Sequence, residues 1–287
     1  MTLSIRMIRK VNEAGEQGPA NALYALQRLL RSVSPSWLQI GGELRPGEIA
    51  WFWSSYDMPL AIHCEKQGIP YILGPCVFFG ERLNPCNEPM ERVLLSGRHC
   101  AGLVTESQVY ADLITAYRQR PNGAPVFAIP SPVDPHPDGP KDHLRDLLIY
   151  RKSGHGDLLI DALGEHYPWS TVIRYGAYKR DDLFEAARTS RACVYLSDDD
   201  RGPIALAEIL LAGCPSVGIQ EVAPWIQEEV TGYPVEKLDE ESLCRGIEFC
   251  LTMNREQVRH AAKQMFDPTD IGTQYLDALE SIRRKYA

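Results

Sequence analysis

The sequence predicts an α/β protein built from two doubly wound, mainly parallel sheets. Two observations carry this prediction. Short β-like runs alternate twice along the chain with amphipathic stretches at helical spacing, which is the pattern of strands joined by crossover helices. Between the two regions, residues 129–140 contain five prolines in twelve residues, a run that neither a helix nor a central strand tolerates. We therefore expect a first domain over residues 1–133 and a second over residues 134–287.

The first half contains enough strands and helices for one complete open sheet. A strand-like run at 3–11 is followed by a polar loop at 12–19 and a helix with Leu23, Leu26 and Leu30 on one face. Further apolar runs separated by turn residues extend the pattern. The expected strands are 37–40, 49–53, 70–73, 102–105 and 126–129, and the expected helices are 20–31, 59–67 and 107–118.

The second half repeats the alternation and ends in a long helix. That helix is expected at 269–286, where Asp267 and Pro268 provide an N-terminal cap and Ile271, Tyr275 and Leu279 share one face. It belongs by sequence to the second domain and is expected to pack back onto the rest of the protein. The other expected strands are 147–150, 170–174, 192–196 and 216–219, and the other expected helices are 157–163, 181–189 and 203–211.

Composition and charge exclude several classes of protein. The chain has 287 residues, 44% of them apolar, and a formal net charge of -8, so it can bury large cores but is unlike a mainly electrostatic nucleic-acid or membrane binder. Its longest apolar runs, such as 204–211, fall far short of the roughly 20 residues of a membrane helix. We expect no integral membrane segment.

Two features favour the cytoplasm. The first eleven residues mix Arg6, Arg9 and Lys10 into the apolar positions, so they do not form the hydrophobic core of an export signal. The eight cysteines show no CxxC spacing, and several, such as Cys193, lie in strand-like runs. We interpret them as buried thiols of a reducing compartment and expect no metal site.

The densest chemical signal lies between the strand at 192–196 and the strand at 216–219. Gly202 and Pro203 precede Ile204 at the start of an apolar helix, so free N–H groups and a positive dipole end lie at the carboxyl edge of a strand. Such a helix start binds phosphate or a polar sugar. Glu208 lies on the same apolar helix and needs a partner, which the two hydroxyls of a ribose can provide.

This segment resembles the retaining glycosyltransferases of the GT-B fold, in particular a compact form of glycosyltransferase family 4 (group 1). That family has a Glu-x7-Glu motif followed by Ala-x-Ala-x-Gly-x-Pro-Val. Asp200 and Glu208 have the same spacing, and Leu-Ala-Gly-Cys-Pro-Ser-Val at 211–217 continues the motif. The resemblance implies two Rossmann-like domains facing across a cleft, with the acceptor on the first and the nucleotide-sugar donor on the second. It implies that Glu208 holds the donor ribose and that Asp200 contacts the donor sugar.

Positive charge for the leaving diphosphate is expected directly after the strand at 147–150. Arg151 and Lys152 stand near the position of the family's Arg and Lys, in a shorter loop. Asp200 is one methylene shorter than the usual Glu, and Arg-Gly-Pro at 201–203 replaces the usual Gly-Phe-Gly. No metal is implied, so these cations and the helix start are expected to stabilise the leaving group.

The first domain carries fewer signals. Gly15 and Gly18 lie in the loop after the first strand, where the family has a glycine-rich loop facing the donor phosphates, although a plain turn has the same appearance. Cys76 stands near the point where the family has a histidine, and neither His63 nor His99 is an obvious replacement. Trp51 and Trp53, with the polar residues at 54–57, are candidates for an acceptor pocket or for the core.

The residues are also compatible with three other functions. Asp198 and Asp200 have the Asp-x-Asp spacing of a metal-dependent GT-A transferase. The first strand, its glycine loop and Glu43 resemble part of an NAD-dependent oxidoreductase. A binding module or a nucleotide-sugar epimerase is a further alternative.

The favoured hypothesis is a cytoplasmic, metal-independent glycosyltransferase without a cofactor that moves a sugar from a nucleoside diphosphate sugar, preferably a UDP-sugar, to a hydroxyl with retention. A small or polymer-linked acceptor is favoured. A hydroxymethylated DNA base or a lipid-linked acceptor is an alternative.

Overall fold

The computed structural model describes residues 3–12, 18–33, 35–54, 57–76, 95–117, 123–142, 145–152, 157–197, 200 and 202–286. They form two compact units. Pro19–Pro132 and the chain from Pro268 onward fall in the first unit, and Val133–Asp267 falls in the second.

The first unit is built on a six-stranded sheet in the order β2-β1-β3-β4-β5-β6. All of its strand pairs are parallel, so the connections pass through crossover helices. The strands are β1 Ser4–Met7, β2 Leu38–Ile40, β3 Glu48–Ser54, β4 Tyr71–Cys76, β5 Cys100–Thr105 and β6 Val126–Ala128, and the helices are α1 Gly18–Val33, α2 Met58–Gln67 and α3 Gln108–Tyr117.

At the centre of the first sheet, the backbones of β4 and β5 approach each other closely at Gly74. Gly74 has a φ of 101°, and a Cβ placed on it would lie 1.9 Å from the carbonyl oxygen of Val104. A side chain is therefore excluded at this position for reasons of both conformation and space. The Gly74 carbonyl in turn accepts a hydrogen bond from the buried Trp51 indole at 2.8 Å.

The second unit is built on a five-stranded parallel sheet in the order β11-β10-β9-β7-β8. The sequence predicts all of these strands but β11, and it does not predict α7 or α8. The strands are β7 Arg145–Arg151, β8 Thr171–Arg174, β9 Ser190–Leu196, β10 Ser216–Ile219 and β11 Gly232–Val235, and the helices are α4 Asp157–His166, α5 Arg180–Thr189, α6 Ile204–Leu211, α7 Glu240–Leu251 and α8 Arg255–Met265.

The last helix, α9 Pro268–Tyr286, packs on the first unit. The sequence alone predicts that this helix belongs to the second domain, whereas the structure places it with the first unit. Its buried face carries Tyr275, whose ring centroid lies 6.0 Å from that of Trp51, and Ile282, which lies against Gly102 of β5. The absence of a side chain on Gly102 makes room for this apolar face.

The described helices differ in character from membrane-spanning helices. None of them combines the length and the apolar character needed to cross a bilayer.

Candidate functional site

The carboxyl ends of β7 and β9 bring the predicted site residues of the second unit together. The two strands are parallel neighbours, with Arg151 opposite Leu196. Lys152 follows directly, and its backbone N–H donates to the Leu196 carbonyl at 3.0 Å. Because parallel strands end at the same edge of a sheet, Lys152 after β7 and Asp200 after β9 become neighbours although they lie far apart in sequence.

Asp200 is a buried carboxylate with three partners. Its side chain is only 1% exposed, and Oδ1 forms an ion pair with the Lys152 ammonium. Oδ1 also accepts a longer hydrogen bond from the Gly202 backbone N–H at 3.4 Å. Oδ2 accepts from the Tyr195 hydroxyl at 2.5 Å. A buried carboxylate needs such donors to compensate for lost hydration, and the described residues supply both oxygens with them.

A stack of tyrosines supports this carboxylate. The rings of Tyr150 and Tyr195 are stacked, with centroids 5.1 Å apart and an interplanar angle of 12°. The Tyr150 hydroxyl lies 3.3 Å from that of Tyr178. Burial raises the pKa of Tyr178 to about 12 and the pKa of Tyr195 well above its usual value. The Tyr195 hydroxyl therefore keeps its proton at neutral pH and acts as a donor to Asp200.

The start of α6 lies beside Asp200. Pro203 is the N-cap with φ -71° and ψ 64°, so the helix begins at Ile204, one residue later than the sequence suggests. The Ile204 N–H donates back to the Gly202 carbonyl at 2.6 Å. The next two N–H groups, of Ala205 and Leu206, are first-turn donors without an intrahelical acceptor. This start keeps the partial positive charge expected of a helix N-terminus.

Glu208 lies one turn further along α6 and is 3% exposed. Arg180, at the start of α5, donates to its Oε1 at 2.5 Å and also to the Asp134 carbonyl at 2.9 Å. Burial raises the pKa of Glu208 above its ordinary value, and the nearby guanidinium opposes part of that rise. The protein itself thus supplies a partner for the carboxylate that the sequence assigned to a ribose.

Arg180 and Tyr195 are site residues that the sequence does not predict. Each of them holds a carboxylate that the sequence does predict, Glu208 and Asp200 respectively. The sequence signal for these contacts is indirect. A carboxylate on an apolar helix requires a cation, and a tyrosine in an apolar strand requires a hydrogen-bond partner for its hydroxyl. Sequence alone does not show which of many Arg and Tyr residues provides them.

Arg151 and Lys152 have different environments, although both are candidates for binding the diphosphate on the basis of sequence. The Arg151 guanidinium forms an ion pair with Asp157 at 2.5 Å, and Arg174 shares the same carboxylate at 3.3 Å. Asp157 is exposed, so these pairs are screened by solvent. Lys152 instead contacts the buried Asp200.

Two residues that the sequence singles out lie outside the described part of the chain. These are Gly15 of the first-domain loop and Asp198 of the alternative Asp-x-Asp metal motif. Gly18 is the first residue of α1. In the described part of the chain, no three His, Cys, Asp or Glu side chains are grouped so that they could hold a metal ion.

The candidates in the first unit are mostly buried. Trp51 and Trp53 both lie in the core together with Ser54, so neither indole presents a face for an acceptor. His63 is exposed on α2. Cys76, at the end of β4, has its Sγ 3.8 Å from Glu106 Oε1, and Glu106 also accepts from the Ser131 backbone N–H at 2.6 Å. Glu106 thereby fastens the start of the proline-rich segment to the end of β5.

Solved structures resemble this chain over nearly its whole length. HepE from Anabaena, in complex with UDP-glucose, matches with a TM-score of 0.64 and 13% identity, over 97% of this chain and 99% of the other. AviGT4, described as a glycosyltransferase involved in avilamycin A biosynthesis, matches with a TM-score of 0.60 and 13% identity, over 99% of both chains. WaaB, a lipopolysaccharide outer core galactosyltransferase, matches with a TM-score of 0.58 and 12% identity, over 92% and 80%.

The sequence itself matches no family model and no curated protein. The similarity to known proteins is therefore structural, and at 12–13% identity it concerns the fold. Two α/β units, each with a parallel sheet, and a final helix that packs on the first unit make up the chain, of which HepE and AviGT4 match 97% and 99%. The chain has the GT-B glycosyltransferase fold.

Proposed function

We propose that this protein is a glycosyltransferase that moves a sugar from a nucleoside diphosphate sugar, preferably a UDP-sugar, to an acceptor hydroxyl. The observation that carries the proposal is the meeting of Lys152, Asp200 and the start of α6 at one sheet edge, with the buried Glu208 on the same helix. HepE binds UDP-glucose and UDP, and two further similar structures are described as glycosyltransferases. These descriptions support both the class of reaction and the donor.

The diphosphate of the donor fits the charge at this edge. The Lys152 ammonium offers charge-assisted hydrogen bonds, and the first-turn N–H groups of Ala205 and Leu206 add the helix dipole. Phosphate oxygens carry the negative charge that such donors select. We infer that the diphosphate lies between Lys152 and the start of α6.

The ribose fits Glu208. Arg180 occupies Oε1, and no donor from the described residues is bonded to Oε2. A ribose diol has two hydroxyl donors of the required kind. Under this proposal Arg180 orients the carboxylate, and Oε2 accepts from the nucleotide.

The proposed reaction proceeds with retention and without a metal. Retention is supported by the family resemblance, in which the leaving diphosphate itself takes the proton of the acceptor hydroxyl, so no protein base is required. The fixed positive charges of Lys152 and the start of α6 support a metal-independent departure of the diphosphate, because preorganised donors stabilise charge as it develops.

We propose a small or polymer-linked acceptor and a cytoplasmic reaction. The net charge of -8 disfavours an extended anionic acceptor. The seven described cysteines are thiols, most of them buried, as is usual in a reducing compartment.

The test is acceptor-dependent release of UDP from UDP-glucose and UDP-galactose in the presence of EDTA. The acceptor panel contains simple glycosides, oligosaccharides and DNA with 5-hydroxymethylcytosine, and NMR of the product gives the anomeric configuration. We expect EDTA-resistant transfer that retains the configuration and falls at least about tenfold in Lys152→Met. Glu165→Gln, an exposed change on α4, is the matched control. Transfer that needs Mn²⁺ or Mg²⁺, or inversion, contradicts the corresponding part of the proposal.

A further inference from the structure

We propose that Asp200 is a positioning residue that holds the Lys152 ammonium for the donor diphosphate, and that it does not itself contact the donor sugar. The inference rests on the proposed function, because it concerns how that donor site obtains its charge. It departs from the role that the spacing of Asp200 and Glu208 implies.

Asp200 differs from Glu208 in that both oxygens of its carboxylate are already bonded to donors of the protein. Both side chains are nearly buried, at 1% and 3% exposed. Oδ1 is bonded to Lys152 and to the Gly202 N–H, and Oδ2 is bonded to the Tyr195 hydroxyl. A sugar hydroxyl would have to share an oxygen with a donor already bonded to it, or displace that donor and leave it buried without a partner, which is unfavourable.

Lys152 is the partner through which Asp200 can act on a ligand. The Gly202 amide and the Tyr195 phenol each have a single proton, and both protons point to Asp200. An ammonium has three protons, so Lys152 retains donors after it has bonded Asp200. Its side chain is 23% exposed, which leaves the remaining donors accessible to a phosphate.

The rest of the Lys152 environment also restricts the ammonium. The backbone N–H is tied to Leu196 of β9, and Nζ lies 5.4 Å from the centroid of the Tyr175 ring, within range of a cation–π interaction. A lysine that is ordered before the ligand arrives loses less conformational freedom on binding. The Asp200 carboxylate partly cancels the positive charge of Lys152, but the ion pair fixes the position of the ammonium.

Tyr195 completes the arrangement by fixing the carboxylate. Its hydroxyl keeps its proton and donates to Oδ2, and its ring is held by stacking on Tyr150. The shorter Asp side chain suits this role, because it keeps the carboxylate close to the end of β9, where Tyr195 and Lys152 meet it.

The test is calorimetric binding of UDP and UDP-glucose to the wild type, Asp200→Asn, Lys152→Met and the double variant. We expect Asp200→Asn to weaken UDP binding about tenfold. The loss of affinity for UDP should be at least as large as the loss for UDP-glucose, because both ligands contact Lys152 through the diphosphate. In the Lys152→Met background, the further loss from Asp200→Asn should fall below about twofold, because the group it positions is gone.

Tyr195→Phe and Tyr150→Phe provide a matched pair. Both remove one buried hydroxyl from the same stack, but only the Tyr195 hydroxyl bonds to Asp200. We expect Tyr195→Phe to weaken UDP binding several-fold and Tyr150→Phe to change it less than about twofold. Circular dichroism and thermal unfolding of each variant confirm that it is folded.

The outcomes separate this inference from the proposed function. If Asp200→Asn weakens UDP-glucose binding but leaves UDP binding unchanged or tighter, Asp200 contacts the sugar and the positioning role is wrong. If the effects of Lys152→Met and Asp200→Asn on UDP binding are independent, it is wrong as well. If the wild type binds neither UDP nor UDP-glucose, the UDP-sugar donor of the proposed function fails first, and the positioning role fails with it.

Discussion

The Arg180 guanidinium and the Glu208 carboxylate meet at 2.5 Å across the facing helices α5 and α6. Glu208 is almost fully buried, whereas Arg180 is partly exposed and also donates to the Asp134 carbonyl. The pair connects the segment that enters the second unit with the helix that bears the donor-site motif. Burial of Glu208 disfavours its negative charge and the Arg180 guanidinium favours it, and two predictions follow from these opposing effects.

Arg180→Met should destabilise the protein by about 3 kcal/mol, because it leaves the buried Glu208 carboxylate without its cation. Methionine retains much of the packing on Phe184, which the guanidinium covers at 4.8 Å from the ring centroid. Urea unfolding measures the change. The matched control, Arg174→Met, removes an exposed partner of Asp157 and should cost less than about 1 kcal/mol. Equal losses in the two variants would show that the buried pair has no special importance.

The free energy of unfolding should depend on pH through the protonation of Glu208. Its pKa is raised from the ordinary value of 4.5, mainly by burial, so the folded state binds its proton more tightly than the unfolded state does. Stability from this group is therefore present below pH 4.5 and lost as pH rises through the raised value. The free energy of unfolding of the wild type should fall relative to Glu208→Gln over that window. A difference between the two proteins that is flat with pH, or that rises, contradicts the prediction.

Lys152→Ala should lower turnover more than it weakens donor binding. The ammonium interacts most strongly with the diphosphate as negative charge develops on departure, and loss of such a donor typically costs about 100-fold in kcat. Steady-state kinetics with the donor varied give kcat and KM separately. Arg151→Ala is the comparison, since its guanidinium is paired with Asp157, and we expect a smaller effect. A larger loss in Arg151→Ala would reverse the roles of the two cations.

Tyr275→Ala should destabilise the first unit by about 3 kcal/mol, because the fully buried ring of α9 packs on Trp51 and its removal leaves a cavity. Thermal unfolding followed by far-UV circular dichroism measures the change. Tyr286→Ala, at the half-exposed end of the same helix, should cost less than about 1 kcal/mol. Similar losses at both positions would mean that α9 is not anchored through Tyr275.

The alternation of apolar runs was sufficient to predict the two parallel sheets and most of their elements. β11 was missed because Gly232 and Pro234 interrupt a strand of four residues, and both residues disfavour strands in isolation. Pairing with β10 overrides that preference: a Cβ on Gly232 would lie 1.8 Å from the carbonyl oxygen of Ser216, so the close approach needs this glycine. α8 was missed although Asn254 is a side-chain N-cap that accepts from Glu256 and Gln257.

The sequence predicts the site residues that lie together in one motif. It does not predict which residues of other strands and helices become their hydrogen-bond and ion-pair partners. The spacing of Asp200, Pro203 and Glu208 indicates a helix start with two acids. The burial of those acids, and the choice of Lys152, Tyr195 and Arg180 as their partners, follow from the order of the strands and the packing of α5 on α6. Those are tertiary features that a local pattern does not encode.

The most direct test of a nucleotide-sugar donor site in the second unit is thermal unfolding with UDP, UDP-glucose, GDP, ADP and NAD, each with EDTA. A ligand at 100 times its Kd should stabilise the wild type by about 2.7 kcal/mol. We predict that UDP or UDP-glucose protects the wild type and Glu165→Ala despite EDTA and gives much less protection to Glu208→Ala. Protection by NAD alone, protection that requires a divalent metal, or equal protection of Glu208→Ala would contradict the proposed donor site.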